Sequence, residues 1–190
     1  MFTIREYITI FIIFIAVSAI LYLPIFFILK KKNQGFIRPL SYLFCFWSFF
    51  LIVYATLILF NLPLNFKPVL HKLNLQPFLW LWEDNLRLRI VIEIIPNIIL
   101  FVPLGIFLPT AFKRMRKLKR TALIAFSVTF SVEFFQYFIG RTSDIDDMIT
   151  NLLGGIIGYG LFKIFSYSYE NRTSKARFLR AGTPIYKEYT

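Results

Sequence analysis

Long apolar runs alternate with short polar stretches along this chain. Five of the runs are about as long as the ~17–25 residues with which a helix crosses the hydrocarbon core of a membrane. They cover approximately residues 7–29, 40–61, 91–111, 121–139 and 151–168. The pattern predicts an all-α fold, a polytopic transmembrane helical bundle of about five spans.

The composition agrees with a membrane protein. Of the 190 residues, 57% are hydrophobic and only 17% are charged, whereas a soluble domain is about a quarter charged. No polar stretch is long enough to form a separate soluble domain. We therefore predict a single membrane domain over residues 1–170, followed by a basic cytoplasmic tail over residues 171–190.

The basic residues indicate the orientation of the helices. If five helices alternate in direction, the loops after the first and third runs lie on the same side as the C-terminal segment. Together with Lys163 near the end of the fifth run, they carry 16 of the 22 Lys and Arg residues. The positive-inside tendency then places the C-terminus inside and the N-terminus outside. Because the net charge of +12 lies in loops that flank apolar helices, it indicates topology, and we expect no nucleic-acid partner.

Two of the predicted spans carry polar side chains within the membrane, where such residues usually mark a function or an internal contact. Asn97 lies one helical turn after Glu93, and Gln136 follows Glu133 by three residues, so each pair shares a helix face. At 1.5 Å per residue, Asn97 and Glu133 both lie roughly 9 Å below the outer ends of their helices. Their equal depth predicts one polar pocket that opens outward.

The segment after the fourth run extends this polar set. Asp144, Asp147 and Asn151 recur at i, i+3 and i+7, so they share one face at the outer end of the fifth helix. Arg141 would bind a phosphate or carboxylate in bidentate fashion. Alternatively, it would pair with a neighbouring acid or with Glu133 and have only a structural role.

Some residues of this segment could stabilise the fold instead of binding a ligand. Ser143 is a candidate N-cap, with Asp144 and Asp146 in the first turn, where the helix dipole favours acids. Glu133 would form a structural salt bridge or face a substrate.

Small residues predict close helix packing. The fifth run contains a small-xxx-small pattern that lets another helix approach closely, and the third run contributes one more glycine. The predicted packing residues are Gly105, Gly154, Gly155 and Gly158. Because no strand flanks these glycines, a dinucleotide-binding loop is excluded.

The inventory of metal ligands is poor. Cys45 and His71 are the only residues of their types, which excludes a zinc site built from His and Cys. We predict no cofactor. Asp144 and Asp147 are the only candidates for holding a divalent cation, over a pyrophosphate.

Three stretches of the sequence have a distinctive spacing. Residues 97–105 contain N-x-x-x-F-x-P-x-G, and residues 133–155 contain E-x-x-Q…R-x-x-D-x-x-D-x-x-x-N-x-x-G. Residues 74–78 contain the shorter N-L-x-P-F. These stretches resemble the motifs of the VanZ-like family of bacterial membrane proteins, although Gln76 is more polar than the usual residue at its position. The matches lie within residues 74–160. The resemblance implies a multi-pass protein of the bacterial cytoplasmic membrane, in a family named after a member linked to teicoplanin resistance.

The residues leave several functions open. In the first, an outward pocket binds a lipid-linked cell-wall precursor or another anionic envelope component through Asn97, Glu133, Gln136, Arg141, Asp144, Asp147 and Asn151. In the second, the protein is a membrane enzyme on the same substrate class, with Glu133 as general base; no nucleophile with an adjacent base is visible. In the third, it is a scaffold that packs against a partner through the glycines of the fifth helix. A transporter is a fourth reading, disfavoured because the five spans show no repeat symmetry.

Overall fold

The computed structural model describes residues 4–31, 36–58, 73–78, 86–139 and 142–181. Its helices are α1 (Ile4–Lys31), α2 (Ile37–Val53), α3 (Leu86–Arg89), α4 (Ile95–Ala111), α5 (Leu118–Phe138) and α6 (Ile145–Ala181). The shorter elements are π-helical turns at Tyr54–Ile58 and Ile90–Ile94, a 3-10 turn at Lys113–Met115, and strands β1 (Leu73–Asn74) and β2 (Ser143–Asp144). The two strands pair in parallel.

Five helical stretches in the described residues are long and apolar enough to cross a membrane. They are Ile8–Lys30, Ile37–Leu57, Leu86–Ala111, Leu118–Phe138 and Ile145–Tyr169. The prediction of a helical membrane protein with about five spans is confirmed.

The third and fifth helical stretches begin earlier than the apolar runs, at Leu86 and Ile145. Each of these stretches begins with a polar turn that is not part of the apolar run. Arginines alternate with leucines in α3, and two aspartates lie in the first turn of α6. At its other end α6 continues to Ala181 without a break at residue 170. Residues 182–190 lie outside the described part.

Helix α4 lies between α2 and α6, and α5 packs against α6. The buried apolar core where these helices meet consists of Ile52, Phe101, Leu104, Ala125 and Val132. This arrangement brings the polar faces of α4, α5 and α6 towards one another at the end of the bundle where α4 and α6 begin.

Glycines allow the backbones of α4 and α6 to touch. A Cβ atom built on Gly154 or Gly158 would collide with a carbonyl oxygen of α4, and one on Gly105 would collide with the carbonyl oxygen of Gly155. A Cβ on Gly155 would crowd the side chain of Ala125 in α5. The glycine face of α6 is therefore occupied by helices of the same chain, which weakens the scaffold reading.

Helix α1 lies at the edge of the bundle, and no residue of its most apolar window is buried. It contacts α2 through stacked rings, with the centroids of Phe14 and Phe50 3.6 Å apart. Trp47 Nε1 also donates to Ser18 Oγ at 2.8 Å. Lipid or another protein surface would cover the rest of this apolar helix.

Prolines shape the third helical stretch at one point. Pro96 has no N–H to donate, and the π-helical turn Ile90–Ile94 lies directly before it, with the N–H of Ile95 donating to the carbonyl of Ile90. Helix α4 continues through Pro103 and Pro109. Of the three prolines in this stretch, only Pro96 adjoins a π-helical turn.

Candidate functional site

A cavity of about 680 Å³, here called the polar cavity, lies where α4, α5 and α6 meet the end of α2. Six of the seven side chains predicted as ligand-binding line it: Asn97, Glu133, Gln136, Asp144, Asp147 and Asn151. Arg89, Glu93 and Thr56 contribute further polar groups to its wall. The seventh predicted residue, Arg141, lies outside the described residues.

Glu133 fixes the start of α6 to α5. Its side chain is only 3% exposed, and its Oε2 atom accepts a hydrogen bond of 2.9 Å from the backbone N–H of Asp144. Asp144 Oδ1 in turn accepts from the N–H of Asp146 at 2.9 Å, which is the geometry of a helix N-cap. The cap is therefore Asp144 rather than Ser143, one residue later than the sequence suggested.

Asp144 also joins three segments that are distant in the sequence. Its Oδ2 atom accepts from Asn74 Nδ2 at 3.1 Å and lies 3.4 Å from Arg89 Nη2. Arg89 Nε forms a second ion pair, 2.9 Å from Glu93 Oε2. In the described structure Arg89 is thus a basic partner of Asp144, a role that the sequence analysis considered for Arg141.

The neighbouring acids Asp146 and Asp147 have different contacts. Asp147 Oδ1 accepts from Asn97 Nδ2 at 2.8 Å and links α6 to α4 across the cavity wall. Asp146 is buried and accepts at 3.0 Å from the backbone N–H of Phe78, whose φ of 65° is left-handed. This conformation costs a residue other than glycine about 1 kcal/mol or more. The hydrogen bond to Asp146 helps to compensate this cost and holds residues 73–78 against the start of α6.

Two buried amides form the deep part of the wall. Gln136 Nε2 donates to the backbone oxygen of Thr56 at 3.2 Å, and Asn151 Nδ2 donates to Thr129 Oγ1 at 3.0 Å. The amide oxygens of Gln136 and Asn151 have no hydrogen-bond partner within the described residues. Since unpaired buried acceptors are costly, these two oxygens retain unused hydrogen-bonding capacity.

The described wall is rich in acceptors. Its charged side chains are those of Glu93, Glu133, Asp144, Asp147 and Arg89. A group of three or more His, Cys, Asp and Glu arranged to hold a metal is not found in the part of the chain that the structure describes. Both oxygens of Asp144 and one oxygen of Asp147 already accept protein hydrogen bonds. The wall therefore suits a ligand with N–H or O–H groups better than a bare cation.

Sequence reasoning missed the contacts made by Arg89, Asn74 and Phe78. From the sequence alone, Arg89 is a basic residue next to a predicted span, and the motif at residues 74–78 gives no sign of which segment it contacts. The available signal was that both this motif and the acids around Asp144 belong to the family pattern. Two stretches of one pattern are good candidates for mutual contact.

Comparison with known proteins bears on the same region. Residues 46–166 match the model of the VanZ/LLP1 family, a range that includes every residue lining the polar cavity. The chain is similar to protein VanZ of Enterococcus faecium, with 36% identity over 120 residues that cover 60% of this chain and 70% of the relative. No solved structure matches the chain. Because the family match extends over more than half of its length, the chain belongs to the VanZ/LLP1 family.

Proposed function

We propose that this protein resides in the bacterial cytoplasmic membrane and that its polar cavity binds the head of a lipid-linked cell-envelope component. One observation carries the proposal. Six polar side chains from α4, α5, α6 and β2 line a single cavity of about 680 Å³. Polar groups at this depth are costly unless they serve an internal contact or a function. The internal contacts leave two amide oxygens without partners among the described residues.

The shape of the wall supports an amphiphilic ligand. Ile92 and Pro96 line the polar cavity and are exposed on the outer surface of their helix, so an apolar edge adjoins the acceptor-rich wall. A lipid chain would lie along that edge while the polar head enters the cavity. The excess of carboxylates favours a head with hydroxyl, amide or ammonium donors, and Arg141 is the proposed partner for any phosphate that the head carries.

The proposed physiological result is a contribution to teicoplanin resistance, with the cavity facing outward as the charge distribution predicts. The test is expression in a glycopeptide-sensitive bacterium that lacks the protein, followed by measurement of teicoplanin and vancomycin susceptibility. Wild type is compared with Asn97→Ala, Arg141→Ala and Asp147→Ala. Ser131→Ala is the control, because Ser131 is exposed on the same helix as Glu133 and outside the cavity.

We expect wild type and Ser131→Ala to raise teicoplanin tolerance and the cavity variants to lose it at equal membrane abundance. If the cavity variants protect as well as wild type does, the polar set is only structural and the proposed site is wrong. If wild type itself gives no tolerance, the resistance role is wrong, and the binding role is then judged by ligand capture alone.

One observation favours a second candidate, a membrane enzyme acting on the same lipid-linked substrate. Glu133 is a buried carboxyl that lines the cavity, and its Oε2 atom accepts a hydrogen bond from the N–H of Asp144. In an enzyme this carboxylate would act as the general base. Glu133→Gln keeps an oxygen acceptor for the N–H of Asp144 and removes the base. Normal binding of the lipid with loss of turnover would support the enzyme, whereas full resistance in this variant would exclude it.

A further inference from the structure

A second cavity, here called the basic cavity, lies at the opposite end of the helices from the polar cavity. It has a volume of about 540 Å³, and its walls come from the start of α2, the end of α4, the connection to α5 and the second half of α6. Arg38 and Arg116 line it. The proposed function above makes no use of this cavity.

The two arginines are held in place by backbone carbonyls near the end of α4. Arg38 Nε donates to the oxygen of Ala111 at 3.4 Å, and Arg116 Nε donates to the oxygen of Pro109 at 3.5 Å. Tyr159 fixes the second arginine further, because its hydroxyl donates to the backbone oxygen of Arg116 at 2.8 Å. Within the described side chains neither guanidinium has a carboxylate partner. Both positive charges are therefore positioned but not neutralised there.

The remaining wall is largely apolar and aromatic. Ile106, Phe162 and Phe165 line the cavity beside the hydroxyl of Ser166. Phe165 is 64% exposed on the outside of α6, so the apolar wall is continuous with the surface that faces the bilayer. A molecule that fits this cavity has an anionic head and a hydrocarbon chain.

The charge around the cavity has one sign. Between α4 and the first turn of α5 the chain carries Lys113, Arg114, Arg116, Lys117, Lys119 and Arg120. Among the acids whose side chains the structure describes, none lies at this end of the helices. The positive-inside tendency predicts that this end is cytoplasmic, where basic pockets between transmembrane helices bind anionic lipid head groups.

We propose that the basic cavity binds an anionic phospholipid, with its phosphate between Arg38 and Arg116 and an acyl chain along Phe162 and Phe165. The planar fork of a guanidinium matches two phosphate oxygens, which a lysine ammonium does not. Because each arginine donates to a backbone carbonyl through Nε, its two terminal nitrogens can donate to the phosphate. The site binds a membrane lipid and is separate from the polar cavity.

The test is a titration of phosphatidylglycerol into the full-length protein in a neutral detergent at about 0.15 M salt, where exposed charges are screened beyond about 8 Å. Bound lipid is counted by native mass spectrometry. Replacement of both arginines, Arg38→Gln with Arg116→Gln, should weaken binding about 25-fold, because each cation near a phosphate contributes about a factor of five. The double variant with lysine at both positions should bind less well than wild type and better than the glutamine variant.

A matched control removes the same charge from the same end outside the cavity, as Lys113→Gln with Lys119→Gln. This control should keep most of the binding, and an equal loss in the control would overturn the proposal, since general surface charge would then explain the effect. Ser166→Trp fills the cavity without altering charge and should displace the lipid, which keeps the test decisive if the arginine variants fail to fold. Displacement of the lipid by millimolar inorganic phosphate would also overturn it, because the site would then be one for free phosphate.

Discussion

The polar cavity and the basic cavity are formed by largely the same helices, but their charged side chains are held in different ways. In the polar cavity the acids are bonded to backbone N–H groups, amides and Arg89, and segments separated by tens of residues are joined there. In the basic cavity the arginines donate hydrogen bonds to backbone carbonyl oxygens, and much of the wall is aromatic. The polar cavity is therefore a hydrogen-bonded framework, whereas the basic cavity is a positively charged opening next to an apolar surface.

The family match separates the two cavities as well. Residues 46–166 contain the whole lining of the polar cavity, whereas Phe36, Arg38 and Tyr169 of the basic cavity lie outside that range. The family similarity therefore covers the lining of the polar cavity completely and that of the basic cavity only in part. The wall of the basic cavity depends partly on residues of this chain outside the match.

The largest effect is expected at the close contact between α4 and α6, on which both cavities depend. This contact, here called the glycine seam, is formed at Gly105, Gly154 and Gly158. Gly158→Val should destabilise the protein by about 3 kcal/mol, because the added side chain collides with the backbone of α4 and both cavities lose a wall. The measurement is thermal unfolding in detergent, followed by circular dichroism. Gly160→Val is the matched control, since a Cβ at Gly160 meets no atom within 4 Å; equal destabilisation by both would show that the seam is not the cause.

The second-largest effect is expected at Glu133, and it should be confined to the end of the bundle that holds the polar cavity. Glu133→Ala leaves the N–H of Asp144 without its acceptor and should lower the free energy of unfolding by about 2 kcal/mol, the cost of an unpaired buried donor. Glu133→Gln keeps an oxygen acceptor and should lose less than half as much. Phosphatidylglycerol binding at the basic cavity should be unchanged in both variants. A similar loss in the two variants would mean that charge, and not the hydrogen bond, holds α6 to α5.

A smaller and local effect is expected at the segment that carries β1. Asp146→Ala removes the acceptor of the Phe78 N–H, so the exchange of this amide with deuterium should become about tenfold faster. Asp146→Asn keeps an acceptor and should remain near wild type. Unchanged exchange in the alanine variant would show that pairing between β1 and β2 alone holds the segment.

The smallest effect is expected at the rim of the polar cavity. The Glu93 side chain is 52% exposed in its pair with Arg89, and exposed ion pairs contribute little. Glu93→Gln should change the free energy of unfolding by less than about 0.5 kcal/mol. A loss as large as that of Glu133→Ala would mean that the rim belongs to the framework.

The sequence predicted the features that depend on one helix at a time. The apolar runs predicted the spans, and the helical spacing identified Asn97 and Glu133, which line one cavity in the structure. It could not predict that Asn74 contacts Asp144 or that Phe78 contacts Asp146, since 70 and 68 residues separate the partners. Such contacts depend on how helices pack, which periodicity does not encode.

The basic cavity was missed for a related reason. Arg38 and Arg116 counted only as topology signals, because flanking charge is what a membrane protein of this orientation requires. Their shared cavity exists only because α2, the end of α4 and α6 meet there. Charge alone does not distinguish a positioned arginine from a solvated one.

Photo-crosslinking in bacterial membranes shows directly which lipid occupies each cavity. A photo-reactive amino acid is placed at Ile92 in the polar cavity, at Phe165 in the basic cavity, or at Ile99, an exposed position of α4 that lines neither. Captured lipids are identified by mass spectrometry. We expect a lipid-linked species with a large, donor-rich head at position 92, anionic phospholipid at position 165 and bulk lipid at position 99. Bulk phospholipid alone at position 92, with the cavity intact, would show that the polar cavity does not bind such a head.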